Sequence, residues 1–255
     1  MQNLAGKNIL LMGLKNKSSI ALGIAQCAYE QGARLIVTYQ SEQDTSKVKE
    51  LVKDFKDILL IRCDVTNDSE LNNLFIEIKQ KFGTIHGIVH CIADANKEDI
   101  KNSFLYTTRE GYSHAMDVSA YSLIAIARLA KDLMPSGGSI VTLSYYGAEK
   151  VMSGYNIMGA AKAALEANVR YLANELGPIG IRVNAISPGP MKTVSSKIIN
   201  DFDNIYEVVE RKSPLRKSVT PEDIGNAAVF FLSDLSSSVT GTDLFVDNGY
   251  NIIGI

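Results

Sequence analysis

Short, continuously apolar runs alternate along the chain with longer stretches that have helical periodicity. Runs such as NILLM at 8–12 and SIVTL at 139–143 lack polar alternation. Such runs are typical of strands buried on both faces, as in a parallel sheet covered by helices. The stretch 68–82 instead spaces its apolar residues like one face of an amphipathic helix. This order of elements predicts βαβ units with right-handed crossovers.

The same pattern sets the expected elements of the whole chain. The predicted strands are 8–12, 34–39, 58–63, 87–91, 139–143, 181–186 and 244–246. The predicted helices are 18–31, 41–55, 68–82, 109–134, 154–176 and 220–232. No linker or internal repeat interrupts them. We therefore expect an α/β fold with a single domain over 1–255. It would be a doubly wound, Rossmann-like, mostly seven-stranded parallel sheet with helices on both faces.

Composition and charge exclude several classes of protein. A hydrophobic fraction of 46% and a charged fraction of 21% are those of a globular chain, not a disordered one. With 26 basic and 28 acidic residues, no positive excess favours nucleic-acid binding. Apolar runs stay far below the roughly 20 residues of a membrane span. The N-terminus has no readable secretory signal.

Cysteine and histidine usage predicts neither a disulfide framework nor a metal site. Cys27, Cys63 and Cys91 are few and widely spaced, which favours a reducing cytoplasm. Cys91 is interpreted as a small buried thiol, with a reactive thiol as the alternative. His86, His90 and His114 show no zinc-ligand spacing, so we expect structural roles for them.

The loop after the first strand has features of a phosphate site. Gly13 ends that strand, and Ser19 follows after five residues at the start of a helix. Free N–H groups at a helix start, with a serine hydroxyl, suit a pyrophosphate. An ordinary turn with a serine N-cap explains the same residues. Gly23 is expected to let this helix approach the sheet closely.

The ends of the second and third strands bear on the choice of cofactor. No Arg or Lys stands at Gln40 or Ser41 to neutralise a 2′-phosphate, which favours NADH over NADPH. Gln40 also replaces the usual acidic ribose ligand, which weakens that preference. Asp64 and Val65 end the third strand and suit the adenine edge, although Asp64 also suits a helix cap.

One pair of residues suggests acid–base chemistry. Lys162 follows Tyr155 by seven positions, which on a helix places both side chains on one face, two turns apart. An ammonium there favours tyrosinate-like character, and the phenol can donate to a substrate oxygen. A packed tyrosine beside a surface lysine is the alternative.

Several motifs carry a resemblance to a known family. They are G-x5-S-I-A-x-G-I-A from Gly13, SYYGAEKVMSGYNIMGAAKAALEANVRYLANELG from Ser144, IRVNAIS, SDLSSSVTG and VDNGY. Together they resemble the NADH-dependent enoyl-[acyl-carrier-protein] reductases of bacterial type II fatty-acid synthesis. This is a divergent branch of the short-chain dehydrogenase/reductase superfamily, with Tyr-x6-Lys in place of Tyr-x3-Lys. The likeness runs from Leu4 to Tyr250.

The resemblance implies a role for each matching residue. Tyr155 would bond the thioester carbonyl, Lys162 would hold the nicotinamide ribose, and Tyr145 would be the second tyrosine at the substrate. Ala95 matches a substrate contact. The cofactor positions are Gly13, Ser19, Ile20, Gln40, Asp64, Val65, Ile92, Lys162, Met191, Lys192, Thr193, Val194 and Ser195. The implied reaction is hydride transfer from NADH to C3 of a trans-2-enoyl thioester, followed by protonation of C2.

The resemblance also implies partners. The substrate would arrive on acyl carrier protein, and the enzyme would be a homotetramer built on the long helices at 109–134 and 154–176. The segment at about 192–212 would cover the substrate, with a plain surface helix as the alternative. Lys197, and also Lys192 or Arg211, would meet the acidic carrier protein.

The chain departs from the family at two places. Asp94 stands where the family usually has an aromatic residue near the substrate channel, and Pro188 precedes the cofactor-binding loop. These departures leave two alternatives open. One is a superfamily reductase acting on a keto or another enoyl substrate. The other is an NADH-binding protein without turnover.

Overall fold

The computed structural model describes residues 2–193 and 202–254. Its strands are β1 (Asn8–Met12), β2 (Arg34–Tyr39), β3 (Leu59–Arg62), β4 (Gly87–His90), β5 (Gly138–Leu143), β6 (Ile181–Pro188) and β7 (Asp243–Val246). Its α-helices are α1 (Ile20–Glu30), α2 (Thr45–Leu51), α3 (Asp68–Phe82), α4 (Lys97–Lys101), α5 (Arg109–Met116), α6 (Ser122–Ala130), α7 (Ile157–Leu176), α8 (Phe202–Lys212) and α9 (Pro221–Leu232).

Among these residues the strands form one seven-stranded sheet in the order β3-β2-β1-β4-β5-β6-β7. Every neighbouring pair is parallel. The predicted doubly wound parallel sheet is therefore confirmed. The strand order reverses between β1 and β4, and ligands of such sheets bind beyond the carboxyl ends of the strands at that point.

Both faces of the sheet are covered by helices, as the apolar strands predict. Within β1, Leu10 and Met12 belong to the core against α3, α6 and α7, whereas Ile9 and Leu11 belong to the core against α1, α2 and α9. All four side chains are fully buried. Alternate residues of one strand point to opposite faces, so this strand has to be apolar throughout.

Three predicted helices differ from the structure at points where the backbone departs from α geometry. The helix predicted at 41–55 is a 3-10 turn at Glu42–Asp44 followed by α2, which ends at Leu51. The stretch predicted as one helix at 109–134 contains a π-helical turn at Asp117–Tyr121 and ends in a 3-10 turn at Lys131–Leu133. The helix predicted from Gly154 begins at Ile157. Gly154 and Asn156 have φ values of 73° and 43°, which no right-handed helix accepts.

Gly23 does not serve the contact expected of it. A Cβ at this position would lie 2.5 Å from Cβ of Pro221, so the glycine lets α1 approach the start of α9 and not the sheet. Gly225 repeats the arrangement one turn further along α9, where a Cβ would lie 2.4 Å from Sγ of Cys27. The two helices are therefore interlocked through glycines.

Within residues 2–193 and 202–254, no helix has the length and apolarity needed to cross a membrane. The same ranges contain no cluster of His, Cys, Asp and Glu side chains that could hold a metal ion.

Candidate active site

The predicted site residues within the described ranges follow the carboxyl ends of the strands. Gly13 follows β1, Gln40 follows β2, Asp64 and Val65 follow β3, Ile92 and Ala95 follow β4, Tyr145 follows β5, and Met191 to Thr193 follow β6. A parallel sheet brings these ends to one edge. Val194 and Ser195 lie outside the described residues, as does Lys197.

Gly13 and α1 form the part that suits a pyrophosphate. Gly13 has a φ of 92°, and a Cβ there would lie 2.2 Å from the carbonyl oxygen of Cys91. Only glycine fits this position without moving the neighbouring strand end. Ser19 is the N-cap of α1: its hydroxyl accepts a hydrogen bond from Leu22 N and donates one to Asn16 O at 2.7 Å. The N–H of Ile20 and that of Ala21 begin the helix at its positive end, which fits the phosphates of a dinucleotide.

Gln40 and Asp64 meet at the ends of β2 and β3. The Gln40 amide donates to Asp64 at a long 3.5 Å, and Thr66 donates twice to the other carboxylate oxygen. Burial opposes ionisation of Asp64, but these hydrogen bonds and the charge of Arg62 hold its pKa below the usual range. Asp64 is thus an anionic acceptor facing the place predicted for adenosine.

The remaining cofactor positions are apolar or lie near α8. Val65 and Ile92 are partly buried at the margin of one core cluster, and Met191 is buried in the other. Lys192 Nζ lies 3.2 Å from Asp203 and 4.8 Å from the ring centre of Tyr206. A cleft of about 410 Å³ lies beside the loop after β1, lined by Asn16, Lys17, Ser18, Lys47, Glu50 and Leu51. None of the tyrosines or the lysine expected to act on the substrate lines that cleft.

Tyr145 and Tyr155 meet at the end of β5. Their ring centres are 4.7 Å apart in an edge-to-face arrangement. A Cβ at Gly147 would lie 2.5 Å from the Tyr155 ring, so the ring packs directly on that glycine backbone. Burial, then the charges of Tyr145 and Glu166, raise the pKa of Tyr155. Its hydroxyl therefore keeps its proton and is available as a hydrogen-bond donor, and this direction of the pKa does not support the expected tyrosinate-like character.

Lys162 is buried on α7, and its ammonium donates to the carbonyl oxygen of Leu143 at 2.7 Å. This bond ties α7 to the last residue of β5, two positions before Tyr145. Burial lowers the pKa of Lys162 to about 8, against the opposing influence of Cys91 and Glu166. The ammonium is buried, so it is not the surface lysine of the alternative interpretation. Burial raises the pKa of the neighbouring Cys91 thiol to about 12, which fits a small protonated thiol.

A buried carboxyl that sequence reasoning missed lies one turn after Lys162. Glu166 is 7% exposed and accepts a 2.5 Å hydrogen bond from the Ser144 hydroxyl at the end of β5. Burial raises the pKa of Glu166 to about 7, aided by the nearby Asp243 and Glu149. The spacing from Lys162 was the available signal, although it also fits an ordinary pair of helix charges.

His90 ends β4 inside a closed hydrogen-bond network. Ser122 Oγ donates to the carbonyl oxygen of Val118 at 2.7 Å and lies 2.8 Å from His90 Nε2. Thr142 Oγ1 lies 2.8 Å from His90 Nδ1, and its hydroxyl is also 3.3 Å from the His90 carbonyl oxygen. Burial, and the charge of Lys162, lower the pKa of His90 to about 3. The residue is a neutral part of the core, which supports the structural role expected of it.

Ala95 lies at the apolar side of Tyr155, and Asp94 lies at its polar margin. Ala95 is buried in a cluster with Ile157 and Met158 that Tyr155 packs against. The carboxylate of Asp94 is exposed and lies 3.0 Å from Nε2 of His114. Asp94 thus points to solvent beside the cluster rather than into it.

Comparison with known proteins gives consistent results. The family described as Enoyl-(Acyl carrier protein) reductase matches residues 13–251. The chain is 50% identical to enoyl-[acyl-carrier-protein] reductase [NADH] FabI of Bacillus cereus, over the full length of both proteins. It is 45% identical to enoyl-[acyl-carrier-protein] reductase [NADPH] FabI of Staphylococcus aureus, over 99% of this chain and 100% of that one.

A solved structure agrees with these matches. The Bacillus cereus enoyl-acyl carrier protein reductase, with NADP+ and indole naphthyridinone, superposes with a TM-score of 0.98 at 50% identity, covering both chains fully. The fold and these matches define a nicotinamide-dependent reductase. The chain belongs to the enoyl-[acyl-carrier-protein] reductase family.

Proposed function

We propose that this enzyme reduces the C2–C3 double bond of trans-2-enoyl-[acyl-carrier-protein] thioesters with NADH, the reductive step of fatty-acid elongation. The observation that carries the proposal is the grouping of Tyr145, Tyr155 and Lys162 at the end of β5, in a chain of this family. When bound, the cofactor supplies the hydride. Acyl carrier protein brings the substrate.

The chain's own residues would act on the thioester oxygen. Tyr155 keeps its proton because its pKa is raised, so its hydroxyl can donate a hydrogen bond to the oxygen on which negative charge develops. Lys162 would hold the ribose and add positive charge beneath it. Tyr145, edge-on to Tyr155, closes the other side of the substrate site. Ala95 and its apolar neighbours would line the path of the acyl chain.

The polar end of the cofactor is proposed to rest on the first three strands. Gly13, Ser19 and Ile20 would hold the pyrophosphate, Gln40 the adenosine ribose, and Asp64, Val65 and Ile92 the adenine. Met191 to Ser195 would border the nicotinamide. NADH is favoured because Gln40 and Ser41 bring no positive charge to a 2′-phosphate. The NADPH and NADP+ in the relatives' descriptions make this preference a point to measure.

The chain is further proposed to act as one domain in a cytoplasmic homotetramer. The exposed Tyr112, Tyr121 and Tyr171 lie on or between the long helices expected at the subunit contacts. Lys192 contacts Asp203 and Tyr206 of α8, and the segment at about 192–212 is proposed to cover the substrate. The unpaired Cys27, Cys63 and Cys91 fit a reducing compartment.

The test is consumption of NADH with a medium-chain trans-2-enoyl thioester, followed by absorbance. NADPH and a β-keto thioester are assayed in parallel. Tyr155→Phe removes the donor but keeps the ring, and we expect it to lower kcat by about 10²–10⁴-fold with NADH binding retained. Turnover of the keto thioester alone would instead identify a keto reductase. Tight NADH binding without any turnover would identify a non-catalytic binding protein.

A further inference from the structure

The turn before α7 holds Asn156 in a backbone conformation that is rare for a residue with a side chain. Its φ is 43° and its ψ is −123°, whereas the left-handed helical region has positive ψ. Conformations of this kind persist only where the surrounding structure holds them in place. Asn156 directly follows Tyr155 and directly precedes the first residue of α7.

The side chain of Asn156 supplies that restraint. Its amide nitrogen donates to the carbonyl oxygens of Ile100 and Asn102, each at 2.8 Å. An amide nitrogen has two donors, so both are used. The acceptors are the last turn of α4 and the residue that caps it. Asn156 thereby fastens the start of α7 to the segment that leads on from Asp94 and Ala95.

The contacts around Asn156 transmit this restraint to Tyr155. The Tyr155 N–H donates to Met152 O at 3.1 Å, and its carbonyl oxygen accepts from Met158 N at 3.0 Å. The ring lies on Gly147, and a Cβ at Gly159 would lie 2.8 Å from the Gly147 carbonyl oxygen. The backbone around Tyr155 is thus fixed on both sides, and its direction depends on the torsions of residue 156.

We propose that Asn156 is a positioning residue for this reaction: its two amide hydrogen bonds hold an unfavourable turn that aims the Tyr155 hydroxyl at the substrate oxygen. The inference rests on the proposed function, because Tyr155 is the donor there. Asn156 would act through Tyr155, because both donors of its amide are used by the backbone of Ile100 and Asn102. If it were only a turn residue, its loss would lower stability and leave the chemistry alone.

Two substitutions separate the amide from the backbone. Asn156→Gly removes the hydrogen bonds while accepting the same torsions, and Asn156→Ala removes them while keeping the backbone unfavourable. Asn168→Ala is the matched control, since Asn168 also lies on α7 and donates its amide to a backbone carbonyl, that of Ala120 at 3.1 Å. We expect both Asn156 variants to lower kcat by about 10- to 100-fold, as a misplaced catalytic group does, with little change in the KM for NADH. The control should keep its kcat.

A second measurement does not require turnover. In protein labelled at tyrosine Cζ, the Tyr155 signal is the one lost in Tyr155→Phe. We expect this signal to shift in both Asn156 variants and to stay in place in Asn168→Ala. A folded Asn156→Gly protein with unchanged kcat and an unchanged Tyr155 signal would overturn the proposal. If wild type lacks enoyl turnover, the proposed function fails, while the signal still decides whether Asn156 positions Tyr155.

Discussion

The edge of β1 to β3 and the centre formed by β5 and α7 are built on different physical principles. At the first, Gln40 is exposed, Asp64 is half-buried, and the contact between their side chains is a long 3.5 Å. At the second, Lys162 and Glu166 are buried, and their hydrogen bonds are 2.7 and 2.5 Å long. The first region leaves polar side chains accessible to solvent, whereas the second buries titratable groups away from water.

This difference predicts the property that each kind of substitution should change. Exposed polar groups exchange water for ligand at small net cost, so changes there should alter which cofactor binds. Buried titratable groups have pKa values set by their surroundings, so changes there should alter rate and the response to pH. The following substitutions test this division.

The largest effect is expected at Glu166. Its pKa in the folded protein is raised to about 7 from a usual 4.5. The folded state therefore binds more protons than the unfolded state between these values, so its contribution to stability is full below about pH 4.5 and is lost as the pH rises through 7. Relative to Glu166→Gln, wild type should lose on the order of 3 kcal/mol of unfolding free energy over that range. Urea unfolding at several pH values measures it.

Glu175→Gln serves as the control for Glu166, because Glu175 is an exposed carboxyl on the same helix. It should reproduce the wild-type dependence on pH. His90 contributes an opposite dependence, since its lowered pKa costs stability as the pH falls, but it is present in every variant and cancels in the difference. A parallel dependence in wild type and Glu166→Gln would show that this carboxyl does not titrate as proposed.

A smaller effect is expected at Gln40. Replacement by Arg puts a positive charge where a 2′-phosphate would lie, and a charged hydrogen bond contributes about 1.5–3 kcal/mol. Gln40→Arg should therefore shift the ratio of NADPH to NADH affinity by about tenfold or more, with kcat unchanged. Titration of each cofactor by fluorescence gives the two Kd values.

Gln40→Leu is the neutral control, and it should change both affinities alike. An unchanged ratio of the two affinities in Gln40→Arg would mean that the adenosine ribose does not lie at Gln40. The proposed role of the β1 to β3 edge in cofactor choice would then be wrong.

The smallest effect is expected at Asp94. Its carboxylate is exposed and paired with His114, and exposed pairs are worth at most about 1 kcal/mol. Asp94→Phe should extend the apolar surface beside Ala95 and raise kcat/KM for a long acyl chain relative to a short one by up to about fivefold. Asp94→Asn removes the charge without adding apolar surface, so it should change the ratio of kcat/KM for long and short acyl chains less than Asp94→Phe does. An unchanged chain-length profile in Asp94→Phe would remove Asp94 from substrate selection.

The strands could be predicted from the sequence because a strand that is buried on both faces has to be apolar at every position. The limits predicted for the strand at 34–39 are those of β2, and the helix at 68–82 is likewise confirmed. The start of α7 could not be found in this way. Helical periodicity extends through Tyr155, whereas the positive φ of Asn156 is held by hydrogen bonds to carbonyl groups about 55 residues earlier.

In the candidate site too, local sequence patterns could be recognised, whereas contacts between distant residues could not. Gly13, Tyr145 and Lys162 belong to recognisable local motifs, and the structure places them at the ends of β1 and β5. Ser144 and Glu166 lie in the same motif as Tyr145 and Lys162, but nothing in the sequence indicates their hydrogen bond, which forms only when α7 packs on β5 and excludes water. The role expected of Gly23 was wrong for a related reason: the chain that it approaches, at Pro221, is remote in sequence.

The interlocking of α1 and α9 has a consequence for how the protein is made. α1 leaves the ribosome early, but the glycine-lined contact it forms requires residues from 221 onward. Until then the side of α1 that carries Gly23 and Cys27 lacks the partner that covers it in the finished protein. The first helix therefore depends on the end of synthesis, so late-truncated chains should engage chaperones through α1.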